Sequence, residues 1–143
     1  MARYAISIGV VTLLTLWVAA AGGFALTQVD DPPGREFGKS YQLSYSAGAQ
    51  GKIRRPRAIS ALVQAPDGAA VSFTFTTACT RHKGGREKNR TGARNLVASG
   101  VVELPLARKK QFGCFVSTAA VLYREEDQGR GPISVQLFAT RRK

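Results

Sequence analysis

The run Val71-Ser72-Phe73-Thr74-Phe75-Thr76-Thr77-Ala78-Cys79 alternates between an apolar-leaning face and one that carries hydroxyls at Ser72, Thr74 and Thr76. Side chains on a β-strand point to opposite sides with a period of two, so Val71, Phe73, Phe75, Thr77 and Cys79 share one face of a half-buried strand. Ser72, Thr74 and Thr76 point the other way. Upstream, Ile59, Ala61, Val63 and Ala65 alternate in the same manner, and Pro66-Asp67-Gly68 separates the two runs with residues suited to a turn. This pattern predicts a hairpin over Ile59–Cys79.

The same period extends in both directions. Tyr41, Leu43 and Tyr45 alternate with polar residues and predict a strand, followed by a basic loop from Gly48 to Pro56 that holds Lys52, Arg54 and Arg55. Leu96–Leu106 predicts another strand, with Pro105 marking an edge or a terminus. Phe112–Tyr123 is apolar on nearly both faces and suits a central strand, with Phe115, Val121 and Tyr123 on one side and Cys114, Val116 and Leu122 on the other. Glu125–Pro132 reads as a turn region, and Ile133, Val135, Leu137 and Ala139 as a last strand. About six strands without crossover helices imply an all-β, antiparallel sandwich over residues 39–143. An immunoglobulin arrangement is disfavoured: the cysteines are close in sequence, the one Trp lies at position 17, and Phe112 stands where a tyrosine corner would need Tyr.

Before this domain, Tyr4–Leu26 carries no charge, and Arg3 precedes it. As a helix it would reach about 34 Å, enough to cross a bilayer. Residues 1–26 are therefore expected to be either a cleaved signal peptide, with Ala19-Ala20-Ala21 before the cut, or a retained signal anchor. Residues 27–38, with Asp30-Asp31-Pro32-Pro33-Gly34, read as a linker. The domain would then lie outside the cytoplasm, tethered or secreted. An even pair of cysteines in such a chain suggests a Cys79–Cys114 disulfide, both residues sitting on inward strand faces.

Charge is the most unusual property of the chain. It has 21 Lys+Arg against 9 Asp+Glu, a net charge of +12. Such a surface attracts polyanions. Arg81, His82, Lys83, Arg86, Lys88, Arg90 and Arg94 fall in one segment with Glu87 as the sole acid, read as a long polar loop loosened by Gly84, Gly85 and Gly92. Arg108-Lys109-Lys110 forms a second basic turn. Arginine offers bidentate contacts to carboxylates and phosphates. The expected anion-binding residues are thus Arg81, Lys83, Arg86, Lys88, Arg90, Arg94, Arg108, Lys109 and Lys110. Nucleic acid is disfavoured as the partner, because no aromatic residues interleave these charges for stacking on bases.

The sequence carries no recognisable catalytic or metal-binding pattern. His82 is the one histidine, it sits among cations, and no nucleophile with a supporting acid matches it. One His and two distant Cys do not make a zinc site. Gly48-Ala49-Gln50-Gly51-Lys52 lacks the spacing and hydroxyl of a phosphate loop, and Glu125-Glu126-Asp127 reads as a solvated acidic turn. No catalytic residue, cofactor or metal is expected. The sequence therefore points to a non-enzymatic β-sandwich that binds an acidic protein or an anionic surface and contacts the membrane through its N-terminal helix. Two other classes remain open: an accessory subunit of a membrane protein complex, and a small secreted hydrolase whose site has no recognisable motif.

Overall fold

A computed structural model describes residues 31–97 and 99–142. The apolar segment Tyr4–Leu26 and the start of the linker lie outside the described residues. No helix among the described residues is long and apolar enough to cross a membrane.

The described residues form nine strands: β1 (Arg35–Phe37), β2 (Lys39–Gln42), β3 (Ser46–Arg54), β4 (Pro56–Gln64), β5 (Val71–Thr80), β6 (Glu87–Leu96), β7 (Gly100–Leu104), β8 (Gly113–Leu122) and β9 (Ser134–Arg141), with one 3-10 turn at Glu125–Asp127. They build two antiparallel sheets in a sandwich-like arrangement. The first has the order β1-β9-β4-β7 and the second β2-β3-β8-β5-β6. Apolar residues from both sheets pack into one core. Ile59, Ala61 and Val63 of β4 and Val135, Leu137 and Ala139 of β9 come from the first sheet, and Val71, Phe73 and Phe75 of β5 and Val116, Ala120 and Leu122 of β8 from the second. Phe73 is the largest of the fully buried side chains.

The alternation in β4, β5 and β9 follows the sequence reading, and β8 is the middle strand of its sheet, as expected, but only its Cys114, Val116, Ala120 and Leu122 face is buried, while Phe115 and Val121 on the other face are half-buried. Pro105 lies just beyond the end of β7, an edge strand. The pairing partner of β5 does not follow that reading. β4 pairs with β7 and β9, whereas β5 pairs with β6 and β8. Ile59–Cys79 is therefore not a hairpin. The turn at Pro66–Ala69 forms, with Ala69 N–H donating to the Pro66 carbonyl, but it carries the chain from one sheet to the other. Both strands have one apolar face, and placing them on opposite sheets buries those faces against each other.

Three strands were hidden in segments read as loop or linker. β1 lies within the expected linker and pairs with β9. β3 occupies the expected basic loop Gly48–Pro56. Its inward residues Ala47, Ala49 and Ile53 are buried, but small Ala and Gly side chains give a weak apolar signal. Its buried hydrogen bonding is completed by Thr118, whose hydroxyl accepts from Ala49 N–H at 3.1 Å and donates to the Ala49 carbonyl at 3.0 Å. Tyr41, Leu43 and Tyr45, expected to be half-buried, are all exposed, because β2 is an edge strand and ends at Gln42.

The third hidden strand is β6, which replaces most of the expected flexible loop. It pairs with β5 over ten residues, from Val71↔Leu96 to Thr80↔Glu87. Gly92 is small for packing rather than for flexibility. A Cβ there would sit 2.5 Å from the Phe75 ring, which lies across the glycine. Gly92→Val should therefore destabilise the fold by about 1–3 kcal/mol through overpacking, read as a lower urea midpoint with unchanged slope. An unchanged midpoint would mean that β6 yields freely.

The acidic turn differs as well. Asp127 is not solvated but buried, 1% exposed. Its carboxylate accepts from Ala70 N–H at 2.9 Å, from Arg124 Nε at 2.8 Å and from Arg130 at 3.1 Å, pinning the β8–β9 connection to the β4–β5 connection. The Ala70 hydrogen bond, followed by those from the two arginines, holds this carboxyl below the usual carboxylate range, against the opposing effect of burial. A lowered folded pKa favours the folded state while the unfolded carboxyl is ionised, and the advantage disappears as pH falls through the folded value. Asp127→Asn should thus lower thermal stability at neutral pH. The gap to the wild type should narrow as the solution is acidified below the ordinary carboxylate range. A gap independent of pH would deny Asp127 this role.

Candidate functional site: a basic end of the sandwich

Antiparallel strands place alternate connections at opposite ends of the sheets. β3, β5, β7 and β9 finish at one end, where β4, β6 and β8 begin. The connections there are Arg55, residues 81–86, residues 105–112 and the chain beyond Arg141. Among the described residues they carry eight cations, Arg55, Arg81, Lys83, Arg86, Arg108, Lys109, Lys110 and Arg142, and no acid. Arg54 and Arg141 sit on the adjoining strand ends, as does the acidic Glu87 at the start of β6. The connections at the other end include Asp67, Glu125, Glu126 and Asp127 against Arg124 and Arg130. The net positive charge is thus concentrated at one end.

The basic end is a joined surface, because its connections are bonded to one another through their backbones. Phe112 N–H donates to the Thr80 carbonyl at 2.7 Å, and Arg55 N–H donates to the Phe112 carbonyl at 3.1 Å. Arg142 N–H donates to the Arg55 carbonyl at 3.0 Å, and the Arg142 guanidinium donates to the Lys109 carbonyl. Arg108 Nη2 reaches the Arg86 carbonyl at 3.4 Å. Beneath this layer, buried Gln111 donates from Nε2 to the Pro56 carbonyl at 2.8 Å, fixing the 105–112 segment to the start of β4. These bonds use backbone carbonyls, and the side chains of Arg55, Arg81, Lys83, Lys109 and Lys110 are exposed.

Arg55 carries a further mark. Its φ is +47°, the only left-handed backbone of a non-glycine residue among the described residues. The one-residue link between β3 and β4 demands that conformation, in which glycine would fit with less strain. An arginine stands there instead, bonded through its backbone to Phe112 and Arg142 of the neighbouring segments.

The structure divides the nine residues expected to bind anions. Arg81, Lys83, Arg86, Arg108, Lys109 and Lys110 meet at the basic end. Lys88, Arg90 and Arg94 run along β6 instead, opposite Cys79, Thr77 and Phe73 and therefore on the core-facing side of an edge strand. Charges on the core-facing side of a sheet edge discourage pairing with another chain. Sequence reasoning left out Arg54, Arg55, Arg141 and Arg142, which are far apart in the chain. The nearest signal was Arg54-Arg55 in the supposed loop.

Cys79 and Cys114 face each other across β5 and β8 and form a disulfide, with Cα atoms 4.1 Å apart. Both are buried, so neither supplies a nucleophile. His82 is exposed, its Nδ1 3.3 Å from the Lys83 carbonyl. Among the described residues no group of three His, Cys, Asp or Glu side chains could hold a metal ion. A shallow hollow of about 450 Å³ lies on the outer face of the second sheet, lined by hydroxyls of Thr74, Thr76, Thr91 and Ser117 and by no titratable side chain.

No protein-family model matches the chain, and no curated protein matches it. A solved structure of TmCBM61 in complex with beta-1,4-galactotriose is similar to it at 13% sequence identity and a TM-score of 0.38, over 72% of this chain and 69% of that one.

Proposed function

We propose that this chain is a non-enzymatic interaction module, held outside the cytoplasm by a membrane tether or secreted, that binds an acidic protein or an anionic surface through the basic end of its sandwich. The observation that carries this reading is the gathering of eight cations, with no acid, on the cross-bonded connections at one end of the two sheets. Fixed cations on a rigid end act together on an extended anion, where scattered cations would be neutralised separately. The buried Cys79–Cys114 bridge supports an oxidising location, since disulfides persist outside the reducing cytosol.

The test is binding of the full chain, in neutral detergent, to heparin and to polyglutamate across a salt series. Exposed charges are screened over about 8 Å at physiological salt, so binding should be strong at low salt and fall steeply as salt rises. Absence of binding to either polyanion at low salt would reject the reading.

A further inference from the structure

The direction in which the chain enters the sandwich bears on what the basic end meets. β1 runs antiparallel to β9, with Arg35 opposite Ala139. β9 runs toward Arg141 and Arg142, so the residues before Arg35 leave at the basic end. Gly34 confirms this path: its φ is +98°, and a Cβ there would lie 2.2 Å from the Ala139 carbonyl oxygen and 2.9 Å from Thr140 N. The chain therefore enters beside the same connections that carry the eight cations.

Only a short stretch separates this entry from the uncharged segment Tyr4–Leu26. The nine steps from Leu26 to Arg35 span at most about 30 Å even when fully extended. If the apolar segment sits in a bilayer, the domain is confined near that bilayer, and its closest face is the basic end. Asp30 and Asp31 in the connecting stretch are outnumbered by the eight cations. The acid-bearing connections of the β8–β9 turn lie at the far end.

We infer that the basic end docks on anionic phospholipid headgroups of the bilayer that holds residues 4–26. The inference rests on the polyanion reading above and assigns its partner. The headgroup phosphates meet Arg81, Lys83, Lys109 and Lys110 from the two longer connections and Arg55, whose N–H bonds to Phe112 at the end of one of them. Confinement by the tether raises the local concentration of headgroups, so modest individual attractions suffice. An acidic protein approaching from solution would have to enter between the basic end and the membrane.

The experiment uses the full chain reconstituted in phosphatidylcholine vesicles with and without phosphatidylglycerol. Both native cysteines are bridged, so single labels can be introduced by His82→Cys at the basic end and Gly129→Cys at the acid-bearing end, and headgroup-bearing quenchers report proximity. Quenching at position 82 should rise several-fold when phosphatidylglycerol is present and fall back with salt. Position 129 should stay unquenched throughout. Lys109→Gln with Lys110→Gln should weaken the lipid-dependent contact about 30-fold, at roughly a factor of five to six per cation. Equal quenching at the two positions, quenching at 82 that ignores phosphatidylglycerol, or release of the chain by alkaline washing would each overturn the inference. The same labelled chains are assayed on heparin in neutral detergent. Retained heparin binding without lipid contact rejects the phospholipid as partner and leaves the polyanion reading standing. Loss of both rejects the two together.

Discussion

Replacing Cys79 and Cys114 together by serine should destabilise the folded chain by about 4 kcal/mol, the loop-closure value for a bridge of this sequence separation. The bridge joins directly opposed residues of β5 and β8, at the ends of those strands nearest the basic connections. Thr80, which follows Cys79, accepts the Phe112 N–H, and Phe112 in turn accepts the Arg55 N–H. Loss of the bridge should therefore be felt first in the 105–112 segment. Two measurements check this. Chemical denaturation of the double variant should give a lower midpoint, and hydrogen exchange should show early opening at Phe112 and Gly113 while the β4 and β9 amides stay protected. A midpoint equal to the wild type would mean that the ladder holds this end without the bridge.

Replacing Arg81, Lys83, Lys109 and Lys110 together by glutamine should weaken binding to an anionic surface by about three orders of magnitude, at roughly 1 kcal/mol per basic side chain near such a surface. All four are exposed and lie in two different connections. The fold should survive, because exposed positions away from caps and buried bonds change stability by no more than about 0.5 kcal/mol each. A matched control replaces Lys88, Arg90 and Arg94, which lie along the β6 edge. The control should bind nearly as well as the wild type but should be more prone to self-association, since it loses the inward charges of an edge strand. Comparable losses in the two variants would spread the contact along β6. Losses confined to the control would move it there entirely.

Local alternation was enough to find β4, β5 and β9, because an inward face of Val, Ile, Leu and Phe set against outward polar residues is a property of each strand alone, and β8 was found as a run apolar on nearly both faces. It was also enough to place Cys79 and Cys114 on inward faces, from which their pairing was expected. Strands without that contrast escaped. β6 shows polar residues on both sides because an edge strand held by a single neighbour meets water on both faces, and its regularity comes from the β5 ladder rather than from its own side chains. β3 escaped because Ala and Gly bury well without reading as hydrophobic.

The sequence by itself determined the strand class, the inward residues of β4, β5, β8 and β9, the candidate bridge and the excess of positive charge. Tertiary structure alone decided which strands pair, and so sent β4 and β5 to different sheets although a turn of ordinary hairpin composition joins them. It also decided where the charge goes. Arg55, Arg81, Lys109 and Arg142 are scattered through the chain and share no local pattern. They converge because antiparallel ladders bring alternate connections to one end, and backbone bonds between those connections hold them there. Strand formation answers to neighbours one and two residues away, whereas the position of a charge at a sheet end answers to every register in the sandwich.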